Sequence, residues 1–355
     1  MFFDVGALLV RAELLGTATV LANSPLQFVL RIPASDDEFH FAKNDTWRIH
    51  AFGSPGGGAG VSTTALYPQI RFGPMSIDSE PKARTVAVVA LDVALPEAQP
   101  LVGVDSASES QLERKAYEQA ARAATVEGTR LVEETIAWVR VRTAQHWLPA
   151  TEERVTLLRP VILLGEGGEV RHDAMCHAGG GTIVMLGADN ALDASELVRV
   201  AARVQAGDRA PHPEQLVQDA RYYAAFGSDA DCARATLFAA MACETKIKVE
   251  LSLKATPTNL PLVEVVLDHR SLPVSVHELF DRPAKAVFGA SLKDDDKTLF
   301  TAVQKLFEAR NAFVHRLTIP SREAARSHVE AAVSVLAWIS SAEKGGSDAG
   351  EANIG

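Results

Sequence analysis

Near its C-terminus the chain reads Arg310-Asn311-Ala312-Phe313-Val314-His315, inside the longer stretch LFEARNAFVHRLTIPSREAA. Arginine holds a phosphate through a planar fork of donors. Histidine takes and gives protons near neutral pH. An arginine, a polar neighbour and a histidine five positions on suggest cleavage of RNA without a metal. No other part of the sequence points as directly to one chemistry.

Two helices must position these groups. Asp294 to Arg316 contains no Gly or Pro and predicts one helix. A second begins at Ser321, where Glu323 and an Ala/Val-rich run to Ala342 follow. Leu299, Val303, Leu306 and Arg310 share one helical face, so Arg310 extends an apolar stripe. An arginine there is either paired or at an interface. Five residues along a straight helix leave Arg310 and His315 about 140° apart around the axis. They converge only if the helix ends or bends nearby, or if a partner chain completes a two-fold site. On an earlier predicted helix, Asp229 to Leu253, the residues Leu237, Met241, Glu244 and Lys248 share a face. Glu244 in that company needs a cation, and Arg310 is a candidate.

With 355 residues and a formal net charge of -10, the chain lacks a global basic surface for non-specific nucleic-acid binding. Any RNA contact must come from a local patch. Between Lys305 and Arg326 the five positives Lys305, Arg310, Arg316, Arg322 and Arg326 outnumber Glu308 and Glu323. Lys305, Arg316, Arg322 and Arg326 are the candidate RNA-binding residues. Cys176, Cys232 and Cys243 are too few and scattered for a disulfide framework and fit a reducing compartment. The N-terminal run MFFDVGALLVRAELLG lacks the basic region of a signal peptide. No apolar run approaches the roughly 20 residues that span a bilayer. A cytoplasmic protein with no membrane partner is expected.

The fold class expected is α+β. Residues 1-206 read as a β-rich region with a long helix. Strands are predicted over Thr17-Ala22, Gln27-Ile32, Thr46-Phe52, Ala65-Phe72 and Thr85-Leu95. A helix follows from Ser108 to Trp147, with Gly128 a point where it can break in two and Pro149 its stop. Val155-Leu164 and Thr182-Leu186 read as strands and Leu192-Val204 as a helix. Gly207-Pro213 is a linker. Helices over Pro213-Phe226, Asp229-Leu253, Ser275-Phe280, Asp294-Arg316 and Ser321-Ala342 make a bundle over 213-342. Residues 343-355 read as a disordered tail.

This bundle, with Arg-Asn-x-x-x-His near the end of its penultimate helix, resembles a HEPN domain, and is most similar to the ApeA-like group. The earlier helix ATLFAAMACETKIKVEL adds to the likeness, with Glu244 and Lys246 or Lys248 in the places of a Glu and a nearby Lys. The resemblance covers residues 213-342. It implies a homodimer in which two motifs face each other and form one ribonuclease site. It also implies cleavage without metal or other cofactor, often in phage defence or toxin systems. Arg310, Asn311 and His315 would be catalytic, with Glu244 and Lys248 supporting them. Toxin-type relatives carry a tyrosine two residues after the histidine, where this chain has Leu317. Other relatives are inactive and serve as dimerisation or RNA-binding modules, which is the alternative reading here. Residues 1-206 would sense an unknown ligand or protein partner.

Other features carry blander readings. Gly53-Gly60 lacks the Lys of a phosphate loop and reads as a flexible loop, and His177-Thr182 as a turn. A nucleotide-responsive sensor using these glycine-rich loops is a third possibility. His172, Cys176 and His177 have no second ligand pair, so no metal is expected. Asp294-Asp295-Asp296 reads as a helix N-terminus. His146, His269, His277 and His328 are assigned structural roles.

Overall fold

A computed structural model describes residues 1–23, 25–34, 83–96, 111–148, 156–159, 163–164, 170–172, 190–268 and 275–351. The fold is α+β, in two units, Met1–Ala210 and Pro211–Gly355. The strands expected over Thr46-Phe52, Ala65-Phe72 and Thr182-Leu186, the glycine loop Gly53-Gly60, the turn His177-Thr182, Cys176, Ser108 and Pro149 lie outside the described residues.

In the first unit, β1 (Phe2–Arg11), β2 (Ala18–Asn23), β3 (Gln27–Arg31), β4 (Ala83–Val93) and β5 (Thr156–Arg159) form an antiparallel sheet in the order β2-β3-β4-β1-β5. On β3 the buried Phe28 and Leu30 alternate with more exposed neighbours, as a half-buried strand requires. β1 is different. Phe3, Val5, Leu8, Leu9 and Val10 are all buried. Leu8, Leu9 and Val10 are consecutive, so this end of the strand is covered on both faces and shows no period-two alternation. From sequence this run suggests no strand, yet it is paired on both edges. Beyond β5, the edge of β1 is completed by a bridge from Val10 to Leu192 and by a side chain. The buried Gln145 accepts from Leu9 N at 2.8 Å and donates to Leu9 O at 2.8 Å and Asn190 O at 2.9 Å.

The helix α1 (Gln111–Thr143) runs unbroken through Gly128. A break is one sequence expectation for that glycine, but its cause is close approach. A Cβ at Gly128 would overlap the Met1 methyl and lie 2.9 Å from Met1 Sδ and 3.0 Å from Leu91 Cδ2. Two short strands, β6 (Leu163–Leu164) and β7 (Val170–His172), pair with each other. The last helix of the unit, α2 (Ala194–Gln205), buries Leu197, Val200, Ala201 and Val204 at three- and four-residue steps in the core shared with the sheet and α1.

The second unit contains α3 (His212–Phe226), α4 (Asp231–Lys254), α5 (Leu260–Leu267), a 3-10 turn at Val276–Phe280, α6 (Arg282–Phe288), α7 (Leu292–Asp295), α8 (Lys297–Arg316) and α9 (Arg322–Glu351). α4 packs against α3, α8 and α9. Its inward residues are small: Ala235, Ala239, Ala240, Ala242 and Cys243 are all 1% exposed or less. Burial pushes the Cys243 thiol up to about 12. α5 and α6 are additions to the sequence expectation. Each holds a proline in its first turn, Pro261 and Pro283, where proline starts a helix instead of breaking it. The helix expected from Asp294 is two helices. Asp296 leaves helical geometry and caps α8, accepting from Leu299 N at 2.8 Å. α9 continues to Glu351, so the backbone over 343–351 is helical where a disordered tail is expected.

Two substitutions probe the first unit. Gln145→Leu orphans the N–H of Leu9, whose C=O keeps Leu192 N as a donor, and lowers the unfolding free energy by about 1–3 kcal/mol in urea titrations. Gly128→Leu lowers it by a similar amount, about 1–3 kcal/mol, through overpacking against Met1 and Leu91. A neutral outcome for both would contradict the packing described.

Candidate functional site

α8 ends at Arg316 and is capped by Leu317. Its last-turn carbonyls are met by Leu317 N, which donates to Phe313 O at 2.8 Å, and Thr318 N, which donates to Ala312 O at 3.3 Å. Leu317 closes the helix at φ 54°, ψ 30°, a left-handed conformation that a Cβ disfavours by roughly 1–2 kcal/mol. Because α8 is helical from Lys297 through Arg316, Arg310 and His315 keep their separation of about 140° around its axis. One chain alone does not point both groups at one atom.

Arg310 is half-buried and His315 is exposed. Arg310 Nη1 donates to Asn311 Oδ1 at 2.9 Å. Among the described residues it makes no ion pair. The expected partner, Glu244, is instead paired with Lys248 one turn away on α4, at 2.5 Å. This corrects the assignment of Glu244 to Arg310. A carboxylate with a lysine four residues on needs no distant cation. Lys246 joins Glu250 at 3.1 Å and Glu214 of α3 at 3.5 Å, fastening α3 to α4.

The basic patch also divides. Arg322 is committed to the C-terminal end of α3: Nη2 donates to Gly227 O at 2.8 Å and approaches Asp229 at 3.3 Å, and Nη1 approaches Ala224 O at 3.5 Å. Arginine satisfies orphaned carbonyls there and complements the helix dipole. That corrects its assignment as an RNA contact. Lys305, Arg316 and Arg326 are exposed and make no ion pair among the described residues. Beside the motif lies an apolar surface: Val314, Leu317 and Ile319 are 48%, 77% and 52% exposed.

A second set of side chains meets between α8 and α9, around a groove of ≈ 600 Å³. α8 contributes Lys297, Thr298, Thr301 and Lys305, and α9 contributes Ser327 and His328. Of these, only Lys305 is a functional candidate from sequence, where His328 is assigned a structural role. The recurrence of Lys297, Thr301 and Lys305 at four-residue steps is the signal that marks the stripe. His328 is buried, with its Nδ1 3.1 Å from Oγ1 of Thr236 on α4. Burial holds the imidazole below the usual histidine range.

The chain matches no family model, no curated protein and no solved structure. Among the described residues no helix is long and apolar enough to cross a membrane, and no group of three or more His, Cys, Asp or Glu could hold a metal ion.

The state of His328 sets a pH dependence. Its folded pKa is depressed, so the unfolded chain binds its proton more readily. Stability from this group is present above the unfolded pKa and is lost as pH falls from about 6.5 toward the folded value. Wild type should lose more stability than His328→Gln between about pH 7 and about pH 5. Equal slopes for the two proteins in denaturant titrations would remove His328 as the cause.

Proposed function

We propose that the second unit is a metal-independent endoribonuclease of HEPN type, acting as a homodimer. The observation that carries this reading is a half-buried Arg310 that has no carboxylate partner among the described residues, five residues from an exposed His315. The groups diverge within one chain, so a second copy related by a two-fold axis supplies the convergence. The exposed Val314, Leu317 and Ile319 give that copy an apolar surface beside the motif.

In this reading neutral His315 takes the proton of a ribose 2′-hydroxyl. The freed oxygen attacks the adjacent phosphorus in line, and the bond to the 5′ oxygen breaks. That oxygen takes a proton from an imidazolium or from water. Arg310 stabilises the charge growing on the phosphate. Asn311 holds the Arg310 guanidinium in place. Lys305, Arg316 and Arg326 bind flanking phosphates. The products are a 2′,3′-cyclic phosphate and a 5′-hydroxyl, and DNA lacks the nucleophile. Residues 1-206 sense a signal or partner, in a setting such as phage defence. A non-catalytic dimerisation or RNA-binding module is the second reading, favoured by the same apolar surface.

Total RNA incubated in EDTA tests the first reading. Wild type cleaves it and leaves DNA intact. His315→Ala and Arg310→Ala each lower the rate by about 10²–10⁴-fold with fold and oligomer size unchanged. Cleavage that survives in both variants, that needs a divalent ion, or that consumes DNA equally would overturn the mechanism. RNA left intact by a wild-type dimer favours the second reading. Leu317→Asp, at an exposed position, shifts sedimentation toward the monomer without lowering the melting temperature of the isolated chain. An unchanged dimer would place the interface elsewhere.

A further inference from the structure

The groove between α8 and α9 is distinct from the Arg310–His315 motif, since neither residue lines it. Its volume, ≈ 600 Å³, lies in the range of small-molecule sites and far exceeds a bare anion. Its charge is unusual for this chain. The whole sequence carries a net charge of -10, yet no Asp or Glu lines the groove. Lys297 and Lys305 border it, both exposed and without an ion pair among the described residues. They stand eight residues apart on one stripe of α8, about 12 Å along the axis. Lysine carries its charge on a flexible stem, so both can turn toward one open groove.

The remaining lining adds directional groups. The hydroxyls of Thr298 and Ser327 make no hydrogen bond among the described residues and can donate to an anionic oxygen. His328 is 9% exposed and lines the groove. Thr236 occupies its Nδ1, which leaves Nε2 as the ring nitrogen open to a ligand. Ala302 and Ala324 supply apolar wall. Paired ammonium groups with free hydroxyls suit phosphate oxygens. Space and apolar wall beyond them suit an organic body attached to that phosphate. We propose that this groove binds a small phosphorylated metabolite, its phosphate held by Lys297 and Lys305 and its organic part lying against Ala302, Ala324 and the His328 ring. The site uses neither Arg310 nor His315, and it shares only Lys305 with the RNA contacts proposed above.

Calorimetry on the full chain tests this, with pyrophosphate and AMP as probes and sulfate and adenosine as controls. The expected result is sub-millimolar binding of both probes, about tenfold or more tighter than sulfate, with no binding of adenosine. AMP also moves the ring resonances of His328. Lys297→Gln combined with Lys305→Gln weakens both probes by about tenfold or more and leaves the melting temperature unchanged, because both side chains are exposed. His315→Ala retains binding, which separates this site from the nuclease motif. The proposal is overturned if neither probe binds, if sulfate binds equally well, if the double variant binds as tightly as wild type, or if single-stranded RNA is the sole ligand of these lysines.

Discussion

A regular α-helix turns about 100° per residue, and α8 holds that geometry from Lys297 to Arg316. This rotation governs what the second unit can do. It gives Arg310 to the stripe occupied by the buried Val303 and Leu306, and turns His315 toward solvent. The cation therefore sits partly sheltered with Asn311 as its hydrogen-bond partner. The imidazole sits where a large substrate can reach it. The same rotation collects Lys297, Thr301 and Lys305 into a separate stripe facing α9. One helix thus presents two separate sets of polar side chains on two faces.

That rotation is fixed by packing on α4. Seven of its ten buried positions are alanine or cysteine, and small side chains let α3, α8 and α9 approach closely. Larger residues from the neighbours, such as Phe280, Phe307, Leu336 and Ile339, fill the spaces. The ends are held by polar fasteners. Arg322 binds the carbonyls at the end of α3, and Trp338 Nε1 donates to Asp295 Oδ2 at 3.0 Å.

Much of this was legible in the sequence. The four long helices of the bundle are stretches without interior proline, and α8 and α9 also carry a clear apolar period near 3.6, whereas α4 is apolar and small-residue-rich with little periodicity. Local chemistry inside those stretches was harder to read. Asp296 is one carboxylate in a run of three, and its capping role depends on a backbone dihedral that the run does not reveal. Glu244 found its cation four residues along its own helix, a short-range pairing that competes with any distant arginine. Gly128 and the buried run of β1 depend on contacts far away in the chain. Gly128 is small because Met1 and Leu91 press on it. At its C-terminal end β1 has no alternation because the consecutive Leu8, Leu9 and Val10 are all buried. His328 has no sequence signal at all, since its partner Thr236 is 92 positions away.

The two thiols on α4 have a practical consequence. A cysteine reacts as its thiolate, and Cys232 and Cys243 are both sealed in the bundle core, with Cys243 also held strongly protonated. Neither can meet an alkylating reagent unless helices separate. Their labelling, followed peptide by peptide, is therefore a clock for opening of the bundle, and its rate tracks the population of the open form when closing is fast. A ligand that ties α8 to α9 would slow that clock, and a dimer would slow it further as concentration rises.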